Sequence, residues 1–121
     1  MTQDARQQAV QAYFDGLAAK DVSRIPWGEN ATLRTPLNPI GGEAQLIQGR
    51  KAILEFFAGI LPAIRTVKML RYYSGDDGWA AGQAEIALAN GKTLYALDAF
   101  RIENGRIVEQ QNHYDSRPAT G

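Results

Sequence analysis

A chain of 121 residues, 45% hydrophobic and 21% charged, has the material for one compact domain with a real core and not the composition of a disordered chain. Thirteen basic residues balance thirteen acidic ones, so no basic stripe argues for nucleic acid. The absence of cysteine excludes disulfides and thiolate chemistry, and the single histidine, His113, argues against a histidine-rich metal centre.

The N-terminal MTQDARQQAV lacks the apolar stretch of a signal peptide, and no apolar run approaches the roughly 20 residues that span a bilayer. A cytoplasmic protein is the expectation. Between Thr2 and Lys20, Val10, Tyr13, Phe14 and Leu17 recur at i, i+3, i+4 and i+7, the stripe of an amphipathic helix with Thr2 or Asp4 as N-cap. Asp21 caps a short second turn, VSRI, that stops near Pro26. Ala31–Thr35 reads as a short strand ended by Pro36. The long loop PLNPIGGEAQLIQG follows, with Gly41-Gly42 either a hinge or a plain turn.

Arg50 to Leu61 reads as a second helix, with Ile53, Phe57, Ile60 and Ile64 on one face. From Arg65 the period changes to two. RTVKMLRYYS, WAAGQAEIAL, TLYALDAFRI and RIVEQQNHYD are separated by GDDG, ANGK and ENGR, all hairpin signals. Helices followed by a four-strand meander predict one α+β domain over residues 1–121.

In TLYALDAFRI, Leu94, Ala96, Phe100 and Ile102 share a face, and Asp98 falls among them. The face turned to the helices becomes core or pocket, so the carboxylate is placed inside. Its neighbours depend on the turns. A two-residue Asn90-Gly91 turn sets Gln83 against Asp98 and brings Glu85 inside; a three-residue loop brings in Gly82, Ala84 and Ile86. At the last turn a three-residue loop pairs Asp98 with Gln110 and puts Asn112 and Tyr114 inside. A two-residue turn puts Glu109, Gln111 and His113 there.

The segments VQAYFDGLAAKDV, ENATLRTP, QGRKAILEFF and LDAFRIENGRIVE, in this order and spacing, resemble the nuclear transport factor 2-like superfamily, in particular its SnoaL-like and ketosteroid isomerase-like members. The resemblance implies a cone-shaped fold: a curved, mostly antiparallel sheet wrapped around N-terminal helices, enclosing a deep apolar pocket. It implies a homodimer joined through the outer sheet face. It also implies a register in which Gln83, Glu85, Asp98, Gln110, Asn112 and Tyr114 line the pocket and His113 points outward. Thr35, Trp27, Phe57 and Phe100 join that lining.

The oxyanion-hole tyrosine and the protonated aspartic acid of ketosteroid isomerases, whose chemistry is a standard worked case of pKa tuning, are matched here by Tyr13 and Asp98. Their base, an aspartate before proline, is matched by Thr35, which argues against true ketosteroid isomerase activity. The Asp-Arg-Asp set of limonene epoxide hydrolase-like relatives is matched by Glu85, Gln83 and Asn112, so that pattern is broken as well.

Each feature has a plainer reading. Asp98 could be a structural carboxylate held by Tyr13 or Gln110, Tyr13 a core residue, and Glu85 a solvent-facing strand residue. Trp27 and Trp79 are expected as wall or lid, and Asp115 as a cap or the partner of Arg117. The expectation for function is an acid–base enzyme without cofactor or metal, acting on a small hydrophobic carbonyl, lactone or epoxide. Tyr13 and Asp98 would polarise an oxygen and Glu85 would be the base. The alternatives are a non-catalytic binding protein and a structural dimerisation module with a self-filled pocket.

Overall fold

The computed structural model of the protein describes residues 4–37 and 43–120. Helix α1 (Ala5–Ala18) begins where Asp4 accepts a hydrogen bond from the Gln7 backbone N–H at 2.9 Å, so the cap falls on Asp4. Its predicted stripe of Val10, Tyr13, Phe14 and Leu17 is buried. Asp21 caps the short 3-10 turn Val22–Arg24, as the sequence suggests. Helix α2 (Arg50–Ile60) buries Ile53 and Phe57 and runs into a second 3-10 turn, Leu61–Ala63. A four-residue helix, α3 (Arg117–Thr120), ends the described chain.

Six strands form one sheet: β1 (Trp27–Thr35), β2 (Gln45–Gln48), β3 (Ile64–Ser74), β4 (Trp79–Leu88), β5 (Thr93–Glu103) and β6 (Arg106–His113). Their spatial order is β2-β1-β6-β5-β4-β3, antiparallel throughout except for the parallel β1–β6 pair. The meander of four strands is therefore extended on its β6 side. Strand β1 is longer than expected, and β2 arises inside what reads as loop. The Gly41-Gly42 pair lies outside the described residues.

Two turns set the registers. Between β4 and β5 the loop has three residues: the Leu88 N–H donates to the Lys92 carbonyl at 2.8 Å, and Gly91 takes a φ of 86°. Gly82 therefore opposes Asp98, Ala84 opposes Ala96, and Ile86 opposes Leu94. Gln83 and Glu85 face out. This corrects the register the resemblance implies, for a hydrophobic reason. A slip by one residue would bury Gln83 and Glu85 and send Ala84, Ile86 and Leu88 into water.

Between β5 and β6 the turn is a two-residue one, with Asn104 and Gly105 at φ 52° and 77°. That turn alone would bring His113 inside. Instead, Ile102 pairs with Ile107 and Arg101 with Glu109, leaving Val108 as a bulge that moves the register by one. Asn112 therefore opposes Asp98, Gln110 opposes Phe100, and His113 points outward. The interior side was anticipated, but the bulge produces it.

Helix α1 lies close on the inner face of β4 at Gly82. A Cβ there would come within 2.4 Å of the Phe14 ring and 2.9 Å of Val10, and both side chains are fully buried. Only glycine permits this approach, which seats Tyr13, one residue before Phe14, over the middle of β5 near Asp98.

Candidate functional site

The inner face of β5 carries Asp98 where its period-two pattern puts it, 2% exposed among apolar neighbours. One carboxyl oxygen, Oδ1, has no hydrogen-bond partner among the described residues. Burial pushes the carboxyl up to about 8, and only the backbone N–H of His113 pulls the other way. Among the described residues, no cation opposes it. At neutral pH the group is thus a carboxylic acid with an O–H to donate.

Around it runs a network that stops one group short. The Trp27 indole Nε1–H donates to Gln110 Oε1 at 2.9 Å, and Gln110 Nε2–H donates to Asn112 Oδ1 at 2.9 Å. The side-chain amides of Gln110 and Asn112 favour the ionised form of the Tyr13 hydroxyl, against the effect of its burial. Burial, then the Asp98 charge, then Tyr114 hold Tyr13 well above its ordinary value, so it remains a neutral donor. Burial does the same to Tyr114, whose hydroxyl lies 3.3 Å from Thr35 Oγ1. The direct Tyr13–Asp98 hydrogen bond that the sequence reading considers is replaced by amide contacts to Tyr13 and a purely electrostatic coupling to Asp98.

Tyr13, Phe57, Asp98, Asn112 and Tyr114 line a common cavity of about 140 Å³. The rest of its wall is apolar, with Ile86, Leu94 and Ala96 on the sheet side and Ile60 on the helix side. Four other expected lining residues stand one layer behind. Trp27 is fully buried and stacked on Phe57 at 5.1 Å, so it is a platform and not a lid. Phe100 packs edge-on against Tyr13 at 5.2 Å, Gln110 belongs to the network, and Thr35 reaches the cavity only through Tyr114. Trp79, at the start of β4, does not line the cavity; its carbonyl accepts from Arg6.

Glu85 and Gln83 are outside. Glu85 accepts a hydrogen bond from the Tyr95 hydroxyl at 3.4 Å, and Gln83 accepts one from Tyr73 at 3.1 Å, both on the outer sheet face. No second carboxylate is therefore among the described residues that line the cavity. Wall residues the sequence did not single out include Leu37, Ala63 and Ala119. Ile86 and Leu94 had the period-two signal that could have named them. Ala119 had none, because α3 is a single turn. Asp115 does pair with Arg117, at 2.9 Å through Nε.

A larger depression of about 1250 Å³ lies near the start of α2, between Glu29, Arg50, Lys51, Glu55 and Arg106. It is open, carries charges of both signs and holds no buried titratable group, so the chemistry points to the smaller cavity. Among the described residues, no group of three or more His, Asp or Glu gathers to hold a metal ion. No helix of the described chain is long and apolar enough to cross a membrane.

The model of one protein family, the SnoaL-like domain, matches residues 10–110. Among solved structures, the chain is similar to an NTF2-like protein of unknown function from Cytophaga hutchinsonii, with a TM-score of 0.77 at 18% identity over 99% of this chain and 98% of that one. A SnoaL-like protein of unknown function from Burkholderia thailandensis gives 0.75 at 20% identity, over 94% and 97%. An NTF2-like protein of unknown function from Mesorhizobium loti gives 0.77 at 17%, over 95% and 97%. Comparison with curated proteins found no match. At these identities the likeness establishes the NTF2-like fold and leaves the activity to be argued from the site.

Proposed function

The chain belongs to the SnoaL-like domain family, and from that premise we propose that it is a small-molecule acid–base catalyst whose working group is Asp98. The observation that supports this reading is the unpartnered Asp98 carboxyl oxygen in an apolar cavity. A buried polar atom without a partner costs about 1–3 kcal/mol, and a ligand oxygen would satisfy it. Asp98 in its acid form donates to that oxygen, and Tyr13, a neutral phenol that α1 brings to the same cavity, adds a second donor. Charge building on the oxygen is then stabilised where water is scarce. The ionised Asp98 left after proton transfer is the one carboxylate lining the cavity that can take a proton back. This replaces the two-carboxylate scheme, since Glu85 is on the other face.

Two probe reactions test it: hydrolysis of cyclohexene oxide and exchange of the α-protons of cyclohexanone in deuterated water. At least one should run above the buffer rate in the wild type and fall about a hundredfold or more in Asp98→Asn. Glu85→Gln should leave that rate unchanged. Binding of both probes without turnover of either would favour a second reading, non-catalytic capture, which the outward position of Glu85 supports.

We also propose that the protein works as a homodimer through the outer sheet face. Tyr73 on β3 and Tyr95 and Leu97 on β5 lie exposed on that face, on either side of β4, between 42% and 65% accessible. Such an apolar cluster marks an interaction surface. Sedimentation should show a dimer for the wild type and a monomer for Leu97→Glu; a wild-type monomer at tens of micromolar would remove the proposal.

A further inference from the structure

The dimensions and charge of the Asp98 cavity say more about its ligand than the acid alone does. Its volume of about 140 Å³ is close to the roughly 150 Å³ that accommodates benzene in an engineered apolar cavity. Pockets for drug-sized ligands run from roughly 300 to 1,000 Å³. A fused polycycle does not fit such a space. The size limit comes from particular pairs: Ile86 and Leu94 are cross-strand partners on the floor, and Phe57 and Ile60 of α2 face them.

Charge narrows the class further. None of the described residues lining the cavity is basic, and the one carboxylic acid among them is Asp98. An anion would therefore meet no counter-charge and would oppose any ionisation of Asp98. A cation would require a desolvated ion pair in a mostly apolar chamber, where the solvation loss offsets the attraction. What remains complementary is a neutral molecule with one hydrogen-bond acceptor, placed to meet the unpartnered Asp98 Oδ1. We propose that the ligand is an uncharged, single-ring compound of about benzene size, its one acceptor oxygen on Asp98 and its ring against Ile86 and Leu94.

This rests on the reading of Asp98 as the working group, and it concerns binding and not turnover. Four probes separate the possibilities by titration at pH 7: cyclohexanone, methylcyclohexane, 2-decalone and benzoate. Cyclohexanone should bind at least tenfold more tightly than methylcyclohexane, 2-decalone or benzoate. Asp98→Leu should collapse the preference over methylcyclohexane, because the donor to the oxygen is gone. Leu94→Ala should open the floor and gain 2-decalone binding by about tenfold or more. Ala96→Leu, which fills the cavity without creating a void, should abolish cyclohexanone binding and keeps the test open if Leu94→Ala fails to fold.

Wild-type binding of 2-decalone as tight as that of cyclohexanone would overturn the size limit, and tight benzoate binding would overturn the charge assignment. Cyclohexanone bound equally well after Ala96→Leu would place the ligand elsewhere. If the probe ladder holds while neither reaction is catalysed, the ligand class stands and the catalytic proposal fails. If Asp98→Asn slows turnover but 2-decalone binds freely, the reverse is true.

Discussion

Asp98→Leu is expected to be more stable than the wild type, and the gap should widen as pH rises. Folding moves the Asp98 carboxyl from its ordinary 3.8 up to about 8, chiefly by burial. Below about pH 4 the acid is protonated in both folded and unfolded chains, and its ionisation contributes nothing to the difference. Between about 4 and about 8 the unfolded chain ionises it while the folded chain keeps the proton, so each pH step favours unfolding. Above about 8 both states are ionised and the full penalty stands, on the order of 5 kcal/mol at 1.36 kcal/mol per pH step. Leucine has a similar shape, removes the unpartnered oxygen, and cannot titrate. The variant should therefore lead by about 1 kcal/mol at pH 4 from the unmet polar group alone. At pH 7 the lead should reach about 5 kcal/mol, the same 1 kcal/mol plus about 4 kcal/mol of ionisation penalty. Urea unfolding of both proteins at pH 4, 7 and 9 measures it. A leucine variant less stable at every pH would show that Asp98 anchors the core, and the acid–base reading would lose its support. A gain would fit a group retained for function at the expense of stability.

Trp27→Ala should cost the most of any single truncation considered, about 3–5 kcal/mol. Trp27 is completely buried, stacked on Phe57 at 5.1 Å and edge-on to Tyr13 at 6.1 Å. Its removal leaves a void behind the cavity and strips Gln110 of its indole donor. Trp27→Phe separates the two effects. The ring still stacks, the N–H is lost, and a destabilisation of about 1–2 kcal/mol is expected. Because Gln110 accepts from Trp27 and its amide also acts on the Tyr13 hydroxyl, the phenylalanine variant should also loosen Tyr13 and lower turnover while leaving the α-helical signal intact. Thermal unfolding followed by circular dichroism, read beside the probe reactions, checks both. A Trp27→Ala protein as stable as wild type would contradict the packing described for this layer.

Much of this protein was legible without a structure. The stripe Val10, Tyr13, Phe14, Leu17 places α1, and the ANGK and ENGR signals place the hairpins. The apolar row of β5 places Asp98 inside, because periodicity is written in residues only two to four apart. The family resemblance matched Tyr13 and Asp98 to a site, and both line the cavity.

What the sequence could not decide was everything that depends on one residue of register or on a partner distant in the chain. The three-residue loop ending at Gly91 turns Glu85 outward, although the same letters permit a two-residue turn. The Val108 bulge restores Asn112 to the interior after a turn that would have excluded it. The parallel pairing of β1 with β6 joins segments roughly 80 residues apart, and the short β2 exists only because β1 offers it an edge. A strand's faces are set by its own alternation, but which groups meet across it is settled by the global burial of Ala84, Ile86 and Leu88 against α1 and α2. Among the described residues, that tertiary choice leaves Asp98 with no second carboxylate in the cavity lining and no hydrogen-bond partner for Oδ1. Its side of the sheet is thus a property of the sequence, while its isolation, and the chemistry that follows, come from the packing.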